Sequence, residues 1–137
     1  METTELLDAI LNFAIYFGVS ILFLVIFKFV YTLVTPHDEW KLIREHQNTA
    51  AALGLGGAVL GFAIALSGAA TNSISIADYA TWGAIALLAQ LFAFAILRYG
   101  FMPLIVQRIE KDEISAGVIL ATINVAIGLL NAACMSY

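Results

Sequence analysis

The side chains that could do chemistry in this chain are mostly amides and hydroxyls placed inside long uncharged stretches. Ser20, Gln90 and Asn124 fall near the middle of three such stretches, and Asn131 lies further along the last one. If the stretches span a membrane, polar groups at that depth are the first candidates for function. None of the four is ionisable, so we do not expect a relay for protons or coupled cations. Gln90 and Asn124 are expected to hydrogen-bond between helices, contributing about 0.6–2 kcal/mol, rather than to line a pore or pocket.

Two histidines, His37 and His46, bracket a short stretch that also carries three acidic residues. These groups could hold a metal ion, but their spacing matches no known His/Cys site, and a solvated helix face is expected instead. The sequence contains no nucleophile–base motif, no phosphate-binding glycine loop and no HExxH motif. The single cysteine, Cys134, excludes an intramolecular disulfide and any multi-cysteine metal site. The sequence therefore predicts no catalytic residues, no metal site, no cofactor and no enzymatic activity.

The composition identifies the environment in which these residues must be placed. Of 137 residues, 62% are hydrophobic and 12% are charged, and the mean hydropathy is +0.95. Soluble domains are closer to half apolar and a quarter charged. A net charge of −4 argues against binding to nucleic acid. The chain is therefore expected to be an integral membrane protein.

The charged residues divide the chain into four long uncharged segments. Each is long enough to cross a bilayer, which takes about 20 apolar residues as a helix. Transmembrane helices are expected near 9–33, 49–70, 79–101 and 114–135. The first has an acidic flank and no cleavage signal, so it is expected to stay in the mature protein. The predicted fold class is an all-α integral membrane protein with a single membrane domain over residues 1–137.

The basic residues predict the orientation of these helices. All six fall on one side of the map: Lys28, Lys41, Arg44, Arg98, Arg108 and Lys111. By the positive-inside rule, loops 34–48 and 102–113 are cytoplasmic and both termini are periplasmic. Lys28 and Arg98 lie near helix ends, where long side chains reach the lipid headgroups. The expected cytoplasmic interface consists of His37, Trp40, Lys41, Arg44, Arg108 and Lys111.

Two local motifs predict helix starts. Thr35 followed by Pro36 is typical of an N-cap and a first helical position, which predicts a short helix near 36–46 in the first cytoplasmic loop. Trp40 favours placing this helix along the membrane interface. Ser75 and Asp78 have the spacing of a capping box and predict the start of the third span.

The two halves of the chain resemble each other, with repeat one at 9–70 and repeat two at 79–135. Each half has an aromatic-rich span, a charged loop containing proline, and a span rich in small residues. Setting Ala51 against Ala116 aligns small residues along both of the latter spans. A parallel tandem duplication is expected, and convergent small-residue packing is the alternative.

Small residues recur every three or four positions on the second and fourth spans. This spacing lets helix backbones approach closely. One use is packing within a single four-helix bundle, which we expect first, and another is a face for self-association into a homo-oligomer. The residues of this small-residue stripe are Gly54, Gly57, Gly61, Ala65, Gly68, Gly117 and Gly128.

Several motifs together resemble the YjfL-like bacterial inner-membrane proteins of the UPF0719 type. They are Thr35-Pro36-His37-Asp38-Glu39-Trp40, Asn48-Thr49-Ala50-Ala51, Ser75-Ile76-Ala77-Asp78-Tyr79, Trp82-Gly83 and Asn131-Ala132-Ala133-Cys134-Met135. The resemblance covers almost the whole chain. It implies a tandem two-helix domain of unknown function 350 in the cytoplasmic membrane. It also implies that neighbouring genes encode membrane-stress proteins. The family has no established activity, so the resemblance implies no catalytic residues.

The expected function is therefore that of a non-enzymatic inner-membrane scaffold or interaction partner in envelope maintenance or stress. Its expected partners are the lipid bilayer, further copies of itself and a cytoplasmic membrane-stress protein. The alternative is a subunit of a small oligomeric channel or transporter, assembled through the small-residue stripe. An enzyme is the third possibility, because the chain shows no catalytic constellation.

Overall fold

The computed structural model describes residues 2–135, and they form six helices and one π-helical turn. Four segments are long and apolar enough to cross a membrane: Thr3–Val34, Thr49–Asn72, Ile76–Phe101 and Ile114–Ala133. The all-α membrane fold predicted from the sequence is confirmed. In chain order the elements are α1 (Thr3–Val34), α2 (Glu39–His46), α3 (Thr49–Asn72), α4 (Ile76–Ile96), the π turn (Leu97–Phe101), α5 (Ile105–Glu110) and α6 (Ile114–Ala133).

The centre of the bundle is the pair α3 and α6, which pack backbone against backbone. A methyl group built on Gly57 would overlap the backbone of Ala121, and one on Gly128 would overlap the backbone of Gly61. Contacts run in the same order along both helices, so α3 and α6 are parallel. Glycine is required at these positions because any side chain would force the two backbones apart.

The small-residue stripe is therefore used inside one chain. All seven of its residues face the α3–α6 interface or the bundle core. Ala65 is fully buried, and the methyl positions of Gly54, Gly57, Gly61, Gly117 and Gly128 are all blocked by the partner helix. Gly68 meets Ala132 in the same way. The intramolecular use predicted first is the one observed, and the stripe is not exposed as a face for self-association.

Helix α4 joins this central pair through two amide side chains. Gln90 is fully buried, and its Nε2 donates to the carbonyl oxygen of Asn124 on α6 at 2.7 Å. A second hydrogen bond runs from α6 to α4, because Asn131 Nδ2 donates to the carbonyl oxygen of Ala86 at 3.0 Å. The expectation that amides link these two helices is confirmed, although Gln90 binds the backbone of Asn124 rather than its side chain.

Helix α1 lies on the outside of the bundle and is attached through aromatic rings. Of its residues only Phe27 and Tyr31 are buried, and the Phe27 ring stacks on Phe62 of α3 with centroids 4.6 Å apart. Residues 3–15 are exposed on every side. The helix begins earlier than the predicted residue 9, because the Glu5 carboxylate accepts a hydrogen bond from the Glu2 backbone nitrogen (3.4 Å) and extends the first turn beyond the apolar segment.

Both short connecting helices lie at the same end of the bundle, and we call residues 35–48 and 102–113 the cap. Asn48 joins the two parts of the cap, because its Nδ2 donates to the Ile109 carbonyl (2.8 Å), and Asp112 fastens the cap to α3, because its Oδ1 accepts from the Ala50 nitrogen (2.9 Å). Helix α5 was not predicted. At the opposite end α3 and α4 are joined by residues 73–75 alone.

The start of α2 differs from the prediction. Thr35 ends α1, and the N-cap of α2 is Asp38, whose carboxylate accepts from the Lys41 nitrogen at 3.1 Å. Thr35 cannot serve because its hydroxyl donates back to the carbonyl of Tyr31 (3.1 Å). By contrast, the capping motif at the start of α4 is confirmed, since Ser75 Oγ accepts from the Asp78 nitrogen at 3.1 Å.

Candidate functional site

The residues predicted for the cytoplasmic interface gather on the cap, most of them on its surface. Lys41, Arg44 and Lys111 are exposed, and Trp40 has 44% of its surface accessible. The Lys28 ammonium lies 4.9 Å from the centre of the Trp40 ring, a cation–π contact that anchors α2 to the end of α1. Arg108 is half-buried and pairs with Glu113 at 2.8 Å. The cap therefore offers one indole and three free basic side chains to a partner.

An open cleft of about 290 Å³ lies between α2 and the end of α5. It is lined by Pro36, His37, Asp38, Lys41, Leu42, His46 and Glu110. Its walls carry both signs of charge. Within residues 2–135, no group of three or more His, Cys, Asp or Glu side chains is arranged to hold a metal ion.

His37 does not lie on a solvated helix face as expected. Its side chain is fully buried, and its Nε2 lies 2.8 Å from Oε1 of Glu39, which is equally buried. The His37 ring also packs near Phe94 of α4, with centroids 5.9 Å apart. The extended segment that joins α1 to α2 turns these two side chains inward beneath the cap. His46, at the other end of α2, is exposed as expected.

The pair of His37 and Glu39 forms the most unusual electrostatic environment of the cap. Burial raises the pKa of the Glu39 carboxyl above its ordinary value of 4.5, and the nearby Asp38 raises it further. The hydrogen bond and positive charge that His37 can supply act in the opposite direction, as does the hydroxyl of Thr35. Since desolvation is the largest of these effects, the Glu39 carboxyl holds a proton more readily than a carboxyl group in water would.

Three further buried polar residues continue inward from this pair. Tyr31, on the last turns of α1, has a fully buried hydroxyl that lies in the field of Glu39 and beside the Asn124 side chain. Asn124 Nδ2 donates to the Leu120 carbonyl of its own helix (3.0 Å), and the backbone carbonyl oxygen of Asn124 accepts the hydrogen bond from Gln90. The intramembrane residues Gln90 and Asn124 thus belong to a polar core that reaches the cap.

Ser20 and Asn131, the other two predicted intramembrane polar residues, lie apart from this core. Ser20 Oγ is 2.5 Å from the Tyr79 hydroxyl, and this contact connects α1 to α4 in the half of the bundle away from the cap. Asn131 is committed to Ala86. Both side chains connect helices and leave no polar group directed into the core.

The sequence prediction missed Tyr31 and Glu39, although one signal for Glu39 was present. Glu39, Leu42 and Ile43 have the spacing of residues on one face of a helix, so Glu39 shares the apolar face of α2. A carboxylate on an apolar helix face is a candidate for burial with a partner, and His37 is two residues away. Tyr31 carried no such signal, because a tyrosine near the end of a span is ordinary.

Comparison with known proteins places the chain in a family. The sequence profile described as Domain of Unknown Function (DUF350) matches residues 5–135. The chain is 44% identical over 133 residues to the UPF0719 inner membrane protein YjfL of Escherichia coli (strain K12), covering 97% of this chain and 99% of that protein. It is 32% identical over 129 residues to the UPF0719 transmembrane protein YshE of Bacillus subtilis (strain 168), covering 92% and 94%. No solved structure shows a significant match. The chain belongs to the DUF350 family of membrane proteins.

Proposed function

We propose that this protein is a non-enzymatic, multi-pass protein of the bacterial inner membrane whose cap docks a cytoplasmic protein in envelope maintenance or stress. The observation that carries the proposal is the contrast between its two ends. One end bears two helices and the exposed residues Trp40, Lys41, Arg44 and Lys111. The other end of the bundle joins α3 to α4 through residues 73–75, which offer little surface.

The cap is well suited to docking because it is held in one shape. Asn48 both caps α3, accepting from the Ala51 nitrogen at 2.8 Å, and donates to Ile109 of α5. Ile105 and Ile109, on the inner face of α5, are fully buried. A surface that is already ordered loses less conformational entropy when a partner binds. Tryptophan and arginine, both exposed here, are also the residue types most enriched at the energetic centres of protein interfaces.

The cytoplasmic location of the cap is part of the proposal. All six basic residues belong to this end of the bundle or to the adjoining ends of α1 and the π turn. Lysine and arginine concentrate in cytoplasmic loops of membrane proteins. The name of the Escherichia coli relative, an inner membrane protein, supports the same membrane.

Photocrosslinking from defined positions tests the docking role. A photoreactive amino acid placed at Arg44 or Lys111 in the full chain, expressed in native membranes, is expected to capture a specific protein. Ile74, which is 90% exposed on the opposite end, is the matched control and is expected to capture none of it. A triple variant with Lys41, Arg44 and Lys111 changed to Glu should abolish both the crosslink and complementation of a deletion strain under envelope stress. Equal capture from both ends, or no capture from either, would refute the proposal.

The alternative of a small oligomeric channel now lacks its proposed interface, because the small-residue stripe is covered within the chain. A homo-oligomer would have to use another surface, such as the exposed residues 3–15 of α1. Ion flux through liposomes carrying the purified protein would separate the two functions. The docking proposal expects no flux above empty liposomes, and flux abolished by Gln90→Leu would favour the channel.

A further inference from the structure

The buried polar atoms that lack a hydrogen bond are concentrated in one place. In the part of the chain that the structure describes, every such side-chain atom belongs to Tyr31, His37, Glu39, Gln90 or Asn124. The five residues come from α1, the connection to α2, α2 itself, α4 and α6. Polar groups elsewhere in the spans, such as Asn131 and Ser20, have partners. This concentration indicates a site rather than scattered imperfections of packing.

The five residues form one continuous series. His37 Nε2 lies 2.8 Å from Glu39, the Glu39 carboxyl faces Tyr31, and the Tyr31 hydroxyl lies beside Asn124. Gln90 then binds the Asn124 carbonyl at 2.7 Å. Apart from the two atoms of the His37–Glu39 contact, the atoms along this series that have no hydrogen bond are His37 Nδ1, Glu39 Oε2, the Tyr31 hydroxyl, Asn124 Oδ1 and Gln90 Oε1. Most of these atoms are acceptors, and they require a small donor that can reach several of them.

One end of the series adjoins the open cleft of the cap. His37 lines the cleft of the cap, which also carries Asp38, Lys41, His46 and Glu110. Beyond Gln90, towards the other end, the core is closed because Gly83 of α4 lies against the Phe23 ring and Ala86 is fully buried. The arrangement is therefore a blind polar recess that begins at the cap and ends near the middle of the membrane.

We propose that these five residues form a hydrated, proton-binding site that is reached from the cleft of the cap. Internal water typically makes about three hydrogen bonds to buried polar groups that would otherwise have none. Lipid cannot supply those bonds, so leaving the atoms unpaired inside a membrane protein is costly. Water held between Tyr31, Asn124 and Gln90 satisfies the acceptors, and the proton resides on the pair of His37 and Glu39.

The charges around Glu39 favour an uptake of a proton by this pair. The neighbours of its carboxyl are His37 and Asp38, in the connection before α2, and Tyr31 of α1. Phe94 of α4 contributes only an apolar ring beside His37. Apart from His37 there is no cation among these neighbours to stabilise the carboxylate. A proton shared between imidazole and carboxyl keeps the buried site close to neutral.

Radiolytic footprinting with hydroxyl radicals tests the hydration of the site in the full chain, in lipid nanodiscs. Radicals generated from bound internal water modify adjacent side chains even when bulk solvent cannot reach them. Tyr31 is expected to be modified, whereas Phe27, one turn earlier on the same helix and equally buried, is expected to remain unmodified. A Tyr31 as unreactive as Phe27 would overturn the hydration of the site.

Infrared difference spectroscopy tests the proton. As the pH is raised, the full chain is expected to lose a carboxylic-acid carbonyl band at a higher pH than its exposed carboxyls do, because burial raises the pKa of Glu39, and Glu39→Gln is expected to lack this band. Persistence of every pH-dependent band in Glu39→Gln would overturn the assignment. If Glu39→Gln fails to fold, the chain can be labelled with isotopic glutamate, which shifts the carbonyl bands of its glutamate side chains. The labelled chain is then compared with His37→Gln, and a change in the buried carboxyl band in that variant supports the same assignment. Neither experiment depends on a docking partner, so failure of the docking role leaves this site standing.

Discussion

Gly61→Ala is expected to be the most informative single substitution in this fold. A methyl group at Gly61 would overlap the backbone carbonyl of Asn124 on α6 and approach Gln90 Nε2 to 2.7 Å. Neither atom can move freely, because the first is backbone and the second is held in a hydrogen bond from α4 to the Asn124 carbonyl. The two helices must therefore separate locally.

The cost follows from two contributions. Forcing a methyl group into a tightly packed core costs about 1–3 kcal/mol. Loss of the Gln90 hydrogen bond adds about 0.6 kcal/mol, the average for interhelical hydrogen bonds in a membrane protein, and at most about 1.7 kcal/mol. Together, Gly61→Ala should lower the free energy of unfolding by about 2–5 kcal/mol.

Gly56→Ala is the matched control, because Gly56 lies on the same helix and a methyl group there meets nothing within 4 Å. Both substitutions change the helix propensity equally, so their difference isolates the contact. Gly54→Ala should fall between them, since its methyl group meets only the Cδ2 end of the flexible Leu120 side chain.

Reversible unfolding in mixed micelles of increasing SDS content, followed by tryptophan fluorescence, measures these differences. We expect Gly56→Ala to be the most stable of the three variants, Gly54→Ala to be intermediate and Gly61→Ala to be the least stable. If Gly61→Ala and Gly56→Ala unfold at the same SDS mole fraction, the close approach of α3 and α6 is not what holds the bundle together.

Three further substitutions test other parts of the structure. Tyr79→Phe removes the hydroxyl contact with Ser20 and should cost about 0.6–1.7 kcal/mol in the same unfolding assay, and it should cost nothing further in a chain that already carries Ser20→Ala. Asn48→Ala removes the cap of α3 and its link to α5, and thermal unfolding should show a loss of about 1–3 kcal/mol. Because the pKa of Glu39 is raised above 4.5 in the folded state, its contribution to stability is full below about pH 4.5 and is lost as the pH rises through the raised value. Glu39→Gln should flatten that decline in a series of melting temperatures against pH, and an unchanged slope would contradict the burial of an ionisable Glu39.

The spans and their core contacts could be predicted from the sequence because they depend on local composition. Charged residues are rare in the hydrocarbon region, so they mark the ends of the spans. Glycines spaced every three or four residues lie on one face of a helix and let it approach another backbone. The same regularities placed Gln90 and Asn124 between α4 and α6. The tandem duplication and the membrane orientation stay predictions, although the parallel course of α3 and α6 is the arrangement that two-helix repeats require.

The cap could not be predicted in the same way, because its structure depends on tertiary contacts. Thr35 and Asp38 both had the chemistry of an N-cap, and the choice between them was decided by the bond from Thr35 to the end of α1. That shift of three residues moved Glu39 from the middle of a supposed surface helix to the first position of a buried turn. Sequence patterns that treat a charged loop as solvated fail where a neighbouring helix, here α4 with Phe94, covers it.

The distribution of polar groups links the docking proposal to the blind recess. A pore needs polar groups along its whole length, but here the unpaired ones stop near Gln90, and the half of the bundle away from the cap is closed by aromatic rings and paired hydroxyls. A recess that opens only beneath the cap can report conditions on that side without moving anything across the membrane. Glu39 is the first residue of α2, so under this proposal a change in the charge of the His37–Glu39 pair acts directly on the helix that carries Trp40, Lys41 and Arg44.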